Sequence, residues 1–339
     1  MPGIHDECRR IASLPDADHY RLDVSAIQHF EPIAMLLLGG AVRALQGRDQ
    51  GRVRVELVGR DDARIQGHQF ASRMGFWWSI GEDQLPPSPS RNSQGSTIPI
   101  TRLDYSDLFR RSGGVDPVRS GAVSRAAAQA ATALYGADSD TPMWNALEYS
   151  LREMFRNTFE HSRSESIWYT ASTRPSKHDV QLALLDQGCG IRASLEASGL
   201  YSFADDSDAI ERALQPGVSR NTGKTRRPEE IARLREQFPG QDPTEWDNSG
   251  YGLTLTTQMC EHAGQYTIVS GTASVSFLRA RITSAACHGG TALRFVLDPR
   301  RIEDALRAVG LYEAPRRRGA SSQSLMTASQ RLRLQQEGE

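Results

Sequence analysis

The sequence predicts an α+β fold from three segments with different apolar patterns. Residues 147–161 repeat apolar side chains at the 3.6-residue period of an amphipathic helix. A largely apolar run over 180–185 is typical of a buried strand, and 291–297 follows a glycine turn with the alternation of a second strand. Both kinds of element have an apolar face to bury, so we expect them to pack together.

Length and composition allow two domains and exclude several classes of protein. The chain has 339 residues, of which 38% are hydrophobic, and this is enough for ordinary cores. Its 40 basic and 41 acidic residues nearly cancel, so charge favours neither nucleic acid nor a membrane as partner. No leader pattern opens the chain, and the longest apolar run, 33–42, is too short to span a bilayer. We expect a cytoplasmic, soluble protein.

The cysteines agree with that expectation. They contain no Cys-x-x-Cys pair and no dense framework, which argues against zinc and for a reducing compartment. The four are Cys8, Cys189, Cys260 and Cys287.

The beginning of the chain predicts a small α/β module and a linker. Residues 1–15 are polar, and we expect them to be loosely attached. Pro32 suits the first turn of a helix, and an aspartate at 61–62 suits an N-cap. Residues 84–96 are rich in proline and serine, which predicts a linker between two independently folding units. The predicted strands of the module are 21–24 and 53–58, and its predicted helices are 32–45 and 61–74.

After the linker, a strand over 97–103 and an alanine-rich helix over 115–135 lead to the helix of 147–161. Thr141 and Pro142 supply an N-cap and a first turn for that helix.

Three polar residues on the helix of 147–161 are candidates for a ligand site. Glu153, Asn157 and His161 are four residues apart, so they stack on one face of a regular helix. A solvated helix face is the simpler explanation of such a stripe. The segments that follow favour a ligand site.

The first of these segments is Asp186-x-Gly188-x-Gly190-Ile191. It leaves a carboxylate at the end of a buried strand, at the mouth of a glycine turn.

A second segment, Gly250-Tyr251-Gly252-Leu253, opens a helical apolar pattern. The backbone N–H groups of a helix N-terminus form a ready anion site. A glycine pair then precedes Thr291 at the start of the last predicted strand.

In this order, the four motifs resemble those of the Bergerat-fold (GHKL) ATPases, which include gyrase, the large heat-shock chaperones, mismatch-repair ATPases and histidine kinases. The resemblance implies a two-layer α/β sandwich, with a mixed sheet and helices on one face, that binds ATP with Mg²⁺.

The resemblance also implies a role for each motif. Asn157 matches the asparagine that holds Mg²⁺, an ion that keeps several waters and takes few protein oxygens. Asp186 matches the aspartate that accepts from the adenine amine, and Gly188 and Gly190 let the backbone approach the base. The N–H groups of 250–253 would hold the β- and γ-phosphates.

Further residues follow from the same resemblance. Thr291 matches the threonine that supports Asp186 through a water, Ile191 belongs to the adenine motif, and His161 could contact phosphate. Residues 192–249 are far longer than a plain αβ connection and match the mobile ATP lid. Their basic cluster suits phosphate contact or simple solvation equally well. The cluster is Arg220, Lys224, Arg226 and Arg227.

The N-terminal module resembles a degenerate STAS domain, the fold of bacterial anti-sigma-factor antagonists. The phosphorylatable serine of that family precedes its first helix, but Glu31 and Pro32 stand at that place here. The resemblance therefore implies a docking surface and not a phosphoacceptor. The alternative is a module that dimerises or packs on the ATPase.

Glu153 distinguishes between branches of the superfamily. A carboxylate one turn before Asn157 can act as general base toward a hydroxyl or a water. The arrangement resembles hydrolytic members and, most closely, the anti-sigma serine kinases, whereas histidine kinases often lack this glutamate. No dimerisation helix that carries an acceptor histidine is evident. His29 and His68 belong to the small N-terminal module, and His5 and His19 belong to the polar start of the chain.

We therefore expect a STAS-like module over 1–83, a linker over 84–96, an ATP-binding domain over 97–300, and a helix at 300–310 within a C-terminal segment, 301–339, whose tail is disordered. The expected function is transfer of the ATP γ-phosphate to Ser or Thr of a partner, such as a STAS-type or sigma-factor-like regulator. The alternatives are an ATP-hydrolysing or ATP-gated switch, a histidine-kinase-like protein and an inert nucleotide-binding scaffold. A homodimer is compatible with the sequence.

Overall fold

The computed structural model describes residues 2–48, 53–59, 66–92, 95–136, 141–219, 252–277, 281–283 and 289–311. Its helices are α1 (Pro2–Ala12), α2 (Pro32–Gln46), α3 (Gln66–Arg73), α4 (Phe76–Ser79), α5 (Tyr105–Arg111), α6 (Ala122–Tyr135), α7 (Pro142–Asn157), α8 (Gly190–Glu196), α9 (Asp206–Ala213), α10 (Gly252–Ala263) and α11 (Ile302–Ala308). Its strands are β1 (His19–Asp23), β2 (Arg54–Val58), β3 (Ser90–Asn92), β4 (Gly95–Asp104), β5 (Ser166–Arg174), β6 (Asp179–Asp186), β7 (Gly264–Ser270), β8 (Ala273–Ser276), β9 (Arg281–Thr283) and β10 (Thr291–Leu297).

An eight-stranded sheet organises the described part of the chain, in the order β3-β4-β5-β6-β10-β7-β8-β9. The last strand, β10, lies between β6 and β7 and pairs antiparallel with both. The other pairings described in this sheet are also antiparallel. The α+β class is confirmed, but the sheet differs from the expected mixed sheet.

Helix α7 packs on one face of the sheet, and this packing explains the amphipathic pattern of its sequence. Thr141 caps it by accepting a hydrogen bond from the Trp144 backbone N–H (3.2 Å), and Pro142 occupies the first turn, as predicted. Leu147 and Phe155 are buried in one core with Leu184 of β6. Helices α6, α10 and α11 contribute to the same core.

The predicted helix over 147–161 changes type before it ends. Residues Thr158–Ser162 form a π-helical turn, in which the Thr158 hydroxyl donates to the Met154 carbonyl (3.1 Å) and the Ser162 hydroxyl to the Thr158 carbonyl (2.9 Å). Such back-bonding by Ser and Thr competes with regular helix geometry. His161 therefore lies in a π turn and not in the regular helix that the sequence predicted for it.

The second face of the sheet is covered by α2, which differs from the expectation of helices on one face. Ile33 and Leu37 of α2 share a core with Leu185 of β6. The Arg43 guanidinium lies 3.9 Å from the ring centre of Trp168 on β5, a cation–π contact. The N-terminal residues and the sheet therefore form one continuous core.

The start of the chain is also ordered, contrary to expectation. Cys8 and Ile11 of α1 are buried in the core of the second face. The first module has a two-stranded parallel sheet, β1 with β2. The described part of the predicted second helix is Gln66–Arg73, and the expected cap at 61–62 lies outside the described residues.

The structure agrees only in part with the predicted linker, the predicted helix of 115–135 and the predicted C-terminal segment. The segment 84–96 is not wholly a linker, because β3 lies within it and pairs with β4. The predicted helix of 115–135 begins only at Ala122. Helix α11 falls within the predicted 300–310, and the tail beyond residue 311 lies outside the described residues. In the described ranges, no helix combines the length and apolarity needed to cross a membrane.

This shared core predicts that residues 1–83 do not fold alone. In the intact chain, α2 buries Ile33 and Leu37 against the sheet, and isolation would expose them to water at about 1.5–3 kcal/mol per side chain. The isolated fragment should show no cooperative thermal transition by circular dichroism, whereas the intact chain should unfold cooperatively. A cooperative transition of the fragment would instead support two independent units.

Candidate functional site

A cleft at one end of the sheet brings the predicted motifs together. Its volume is about 110 Å³, and one water needs roughly 10–15 Å³, so the cleft has room for a ligand ring. Its walls come from the end of α7, the π turn, the end of β6, α8, residues 213–219, the start of α10 and the start of β10. The lining residues are Met154, Asn157, Thr158, His161, Ser162, Asp186, Gly190, Ile191, Ser194, Leu195, Ala213, Val218, Ser219, Gly252, Leu253, Thr291 and Leu293.

Asp186 is the carboxylate of the cleft. It ends β6 and is 3% exposed. The Gly188 backbone N–H donates to its Oδ1 (2.9 Å), and the Thr291 backbone and the Ser162 side chain are polar neighbours that favour its ionised form. Burial raises the pKa of Asp186 to about 6, although the Gly188 N–H and the two polar neighbours act in the opposite direction. The carboxylate is thus a strong acceptor held at the end of a rigid strand.

The two glycines after Asp186 have structural reasons to be glycine. A Cβ on Gly188 would lie 2.0 Å from the Ser162 carbonyl oxygen, so the π turn leaves no room for a side chain. Gly190 has φ +75°, in the left-handed region that favours glycine. The next residue, Ile191, donates its backbone N–H to the Ser270 hydroxyl (2.9 Å). The loop is therefore fixed by contacts within the protein.

Thr291 lies beside Asp186 in the sheet, where the two residues are register partners. Its hydroxyl is 3.3 Å from the Ser270 hydroxyl, which also bonds to the loop at Ile191. Ser270 was not predicted from the sequence, because its place beside Thr291 follows from the pairing of β7 with β10. The sequence signal that could have indicated Ser270 is its position as a polar residue at the end of a buried strand.

Asn157 and His161 line the cleft, whereas Glu153 does not. Glu153 is 3% exposed and lies behind Gly252: a Cβ on Gly252 would be 2.3 Å from the Glu153 Oε2. Within the described ranges the Glu153 Oε1 accepts no hydrogen bond. Arg152 Nε and Arg156 Nη1 are each 3.9 Å from it. The buried carboxylate thus lies directly beneath the first residue of α10.

A second carboxylate shares Arg156 with Glu153. Arg156 Nη2 is 3.6 Å from Glu160 Oε1, inside the π turn. Burial raises the pKa of Glu160 to about 7, against the lowering effect of Arg156. The charges around the end of α7 are therefore linked through one buried arginine.

Part of the predicted lid contributes to the cleft. Leu195 of α8 and Val218 line it. Helix α9 is attached to the sheet, because the Asp206 carboxylate accepts from the backbone N–H (2.7 Å) and the hydroxyl (2.8 Å) of Thr272. The lid beyond residue 219, its basic cluster, and the site residues Gly250 and Tyr251 lie outside the described residues.

The cleft residues suit a hard cation that takes most of its coordinating oxygens from a bound phosphate compound and from water. Asn157, whose side chain carries an amide oxygen, lines the cleft. Mg²⁺ takes few protein oxygens when phosphates and waters complete its shell. In the described ranges, no three His, Cys, Asp or Glu side chains are grouped as a metal site.

Comparisons with protein-family models, with curated proteins and with solved structures found no match to this chain.

Proposed function

We propose that the cleft binds ATP together with Mg²⁺ and that the protein is a cytoplasmic signalling protein of the Bergerat-fold type. One observation carries this proposal: four sequence motifs, far apart in the chain, line one cleft around one buried carboxylate. A solvated helix face would not account for a cleft with Asp186 at its wall. The anti-sigma serine-kinase branch is the closest type, with a STAS-like N-terminal module.

The chemistry of the lining supports a nucleotide. Apolar side chains such as Met154, Ile191 and Leu253 suit the faces of a purine ring. Asp186 can accept a hydrogen bond from its exocyclic amine, and Asn157 can offer its amide oxygen to Mg²⁺. Bound Mg²⁺ would supply charge neutralisation at the phosphates. The start of α10, at Gly252, offers backbone N–H groups to an anion.

The proposed reaction is transfer of the γ-phosphate to a Ser or Thr hydroxyl of a protein partner, with a STAS-type or sigma-factor-like regulator as the expected kind. Glu153 is the proposed general base, because a buried carboxylate without a hydrogen bond to one oxygen can accept a proton. Gly252 separates it from the cleft in this structure, so it reaches a nucleophile only if α10 shifts.

The same separation favours a second candidate, an ATP-gated switch without phosphoryl transfer. In that case nucleotide binding moves α10 relative to Glu153 and alters a protein interface.

A chase with ATP labelled at the γ-phosphate separates the two candidates. The chain is incubated with Mg²⁺–ATP, with or without proteins of the native lysate. Label that appears on a partner only when the chain is added supports the kinase, and the Asp186→Asn variant should give much less of it. Binding of ATP without transfer or release of label supports the switch.

The raised pKa of Asp186 predicts that nucleoside affinity falls at acid pH. Adenosine is the suitable probe, because it has no phosphate that titrates between pH 5 and 7. As pH falls through about 6, protonation removes the ionised acceptor, so affinity should fall about tenfold per pH unit below that value. The Asp186→Asn variant is the control, and its weak binding should not change with pH. A flat wild-type profile would contradict the assignment.

The same group has the opposite effect on folding. Its folded pKa is raised, so its contribution to stability is complete below the unfolded value near 3.8 and is lost as pH rises through about 6. Stability and nucleoside affinity should therefore change in opposite directions across this window.

A further inference from the structure

A second concave site lies at the opposite end of the sheet. It is formed by the β5–β6 turn, the start of β7, the end of β10 and the turn before α11. Strand β6 runs from Asp179 at this site to Asp186 at the cleft, about 24 Å away at roughly 3.4 Å per residue. We call it the basic groove. Its charged lining residues are Arg174, Lys177, His178, Asp179, Arg294, Asp298 and Arg301.

Both carboxylates of the basic groove are already paired. Arg174 Nε donates to Asp179 Oδ1 (2.7 Å), and Arg300 Nη2 donates to Asp298 Oδ2 (2.8 Å). The Arg300 pair lowers the pKa of Asp298 to about 2, so this carboxylate stays ionised at neutral pH. Each carboxylate therefore has its close ion pair with one arginine, and the remaining cations of the groove have none within the described ranges.

Four cationic or titratable side chains of the groove lack such a pair. Within the described ranges, Lys177, His178, Arg294 and Arg301 have no carboxylate oxygen within 4.0 Å. With His178 neutral and Arg300 counted with its partner Asp298, five Lys and Arg side chains at the groove face two carboxylates, an excess of three positive charges. A dianion would neutralise most of this excess.

The partial burial of Arg294 distinguishes the basic groove from an ordinary solvated surface. It belongs to β10, is only partly exposed, and its Nε is buried without a hydrogen-bond acceptor in the described ranges. Buried N–H groups are nearly always paired, so an oxygen of a bound anion is a suitable partner for the Arg294 Nε. Glu31 and Asp179 act on Arg294 through space and oppose the effect of burial, which lowers its pKa. Neither is within ion-pair distance of Arg294.

We infer that the basic groove binds a phosphate group, with the partly buried Arg294 as the anchor and Lys177 and Arg301 at the exposed rim. Guanidinium groups match phosphate oxygens in geometry and charge. The phosphate belongs either to a small phosphate compound or to a phosphorylated protein side chain. The inference is independent of the nucleotide cleft.

Calorimetry with two probes tests it: inorganic phosphate, and a phosphoserine peptide with its unphosphorylated form as reference. Replacing Arg294 by Gln removes a charged hydrogen bond, so phosphate affinity should fall about tenfold or more. Arg125→Gln on α6 is the matched control and should bind as the wild type does. Tighter binding of inorganic phosphate indicates a small compound, and tighter binding of the phosphopeptide indicates a protein.

Lys177→Gln keeps the test valid if Arg294→Gln affects folding, because Lys177 is exposed in a turn. This variant should unfold at the wild-type temperature and bind phosphate several-fold more weakly. Absence of binding by both probes would overturn the inference. So would phosphate binding that neither Arg294→Gln nor Lys177→Gln weakens.

Discussion

Replacing Asp186 by Asn is expected to remove most of the affinity for ATP while leaving the fold intact. Asn has nearly the same shape, and its amide oxygen can still accept from the Gly188 N–H. Its amide group, however, presents N–H donors in place of one acceptor, so the adenine amine loses its partner. A lost hydrogen bond to a charged group costs about 1.5–3 kcal/mol. Affinity should fall about tenfold to a hundredfold, since ~1.4 kcal/mol is a factor of ten.

The folding control for this variant has a defined expectation. Ionised Asp186 is costly to bury, as its pKa of about 6 indicates, so its removal offsets part of the lost hydrogen bonding. The thermal midpoint should stay close to that of the wild type at pH 7. Unchanged ATP affinity by calorimetry, in a variant with a normal thermal midpoint, would refute the role of Asp186.

Replacing Glu153 by Gln is expected to abolish γ-phosphate transfer or release without a comparable loss of ATP binding. A general base acts on the attacking nucleophile and does not hold the nucleotide in the ground state. Its loss typically costs about 10²–10⁴ in rate. Affinity should stay within a few-fold, because Glu153 lies behind Gly252 and does not line the cleft. Both quantities are to be measured on one preparation.

Glu148→Gln is the matched control, because Glu148 is also buried on α7 and bonds to Arg152 (2.8 Å). It should lower stability but leave turnover per folded molecule unchanged. Equal turnover of Glu153→Gln and wild type would leave Glu153 as a structural partner of Arg152 and Arg156. A wild type that binds ATP without turnover, even with partner present, would favour the switch or the inert scaffold.

The sequence predicted the elements around the cleft because their signals are local. The cap at Thr141, the strand ending at Asp186 and the strand starting near Thr291 depend on nearby residues, and the structure has each of them. The π turn was not predicted, because it depends on how Thr158 and Ser162 compete for backbone carbonyls.

The packing of α2 on the second face of the sheet could have been anticipated. The run 33–42 is apolar on every side, and a helix of that kind is buried all round. The sequence predicted a helix over 32–45 in a small N-terminal module, and its packing against the large sheet was not predicted. Gly40 adds a close approach, since a Cβ there would lie 2.9 Å from Leu185 Cδ2. That contact joins residues far apart in the chain, so spacing alone could not predict it.

Photolabelling with 8-azido-ATP tests the central claim most directly, because the adduct marks where the adenine binds. After irradiation with Mg²⁺ present and digestion, mass spectrometry locates the modified peptide. We predict adducts in the cleft-lining segments around 154–162 or 186–195, and excess ATP should suppress them. No adduct that ATP suppresses, or a suppressible adduct confined to residues that do not line the cleft, would contradict the account.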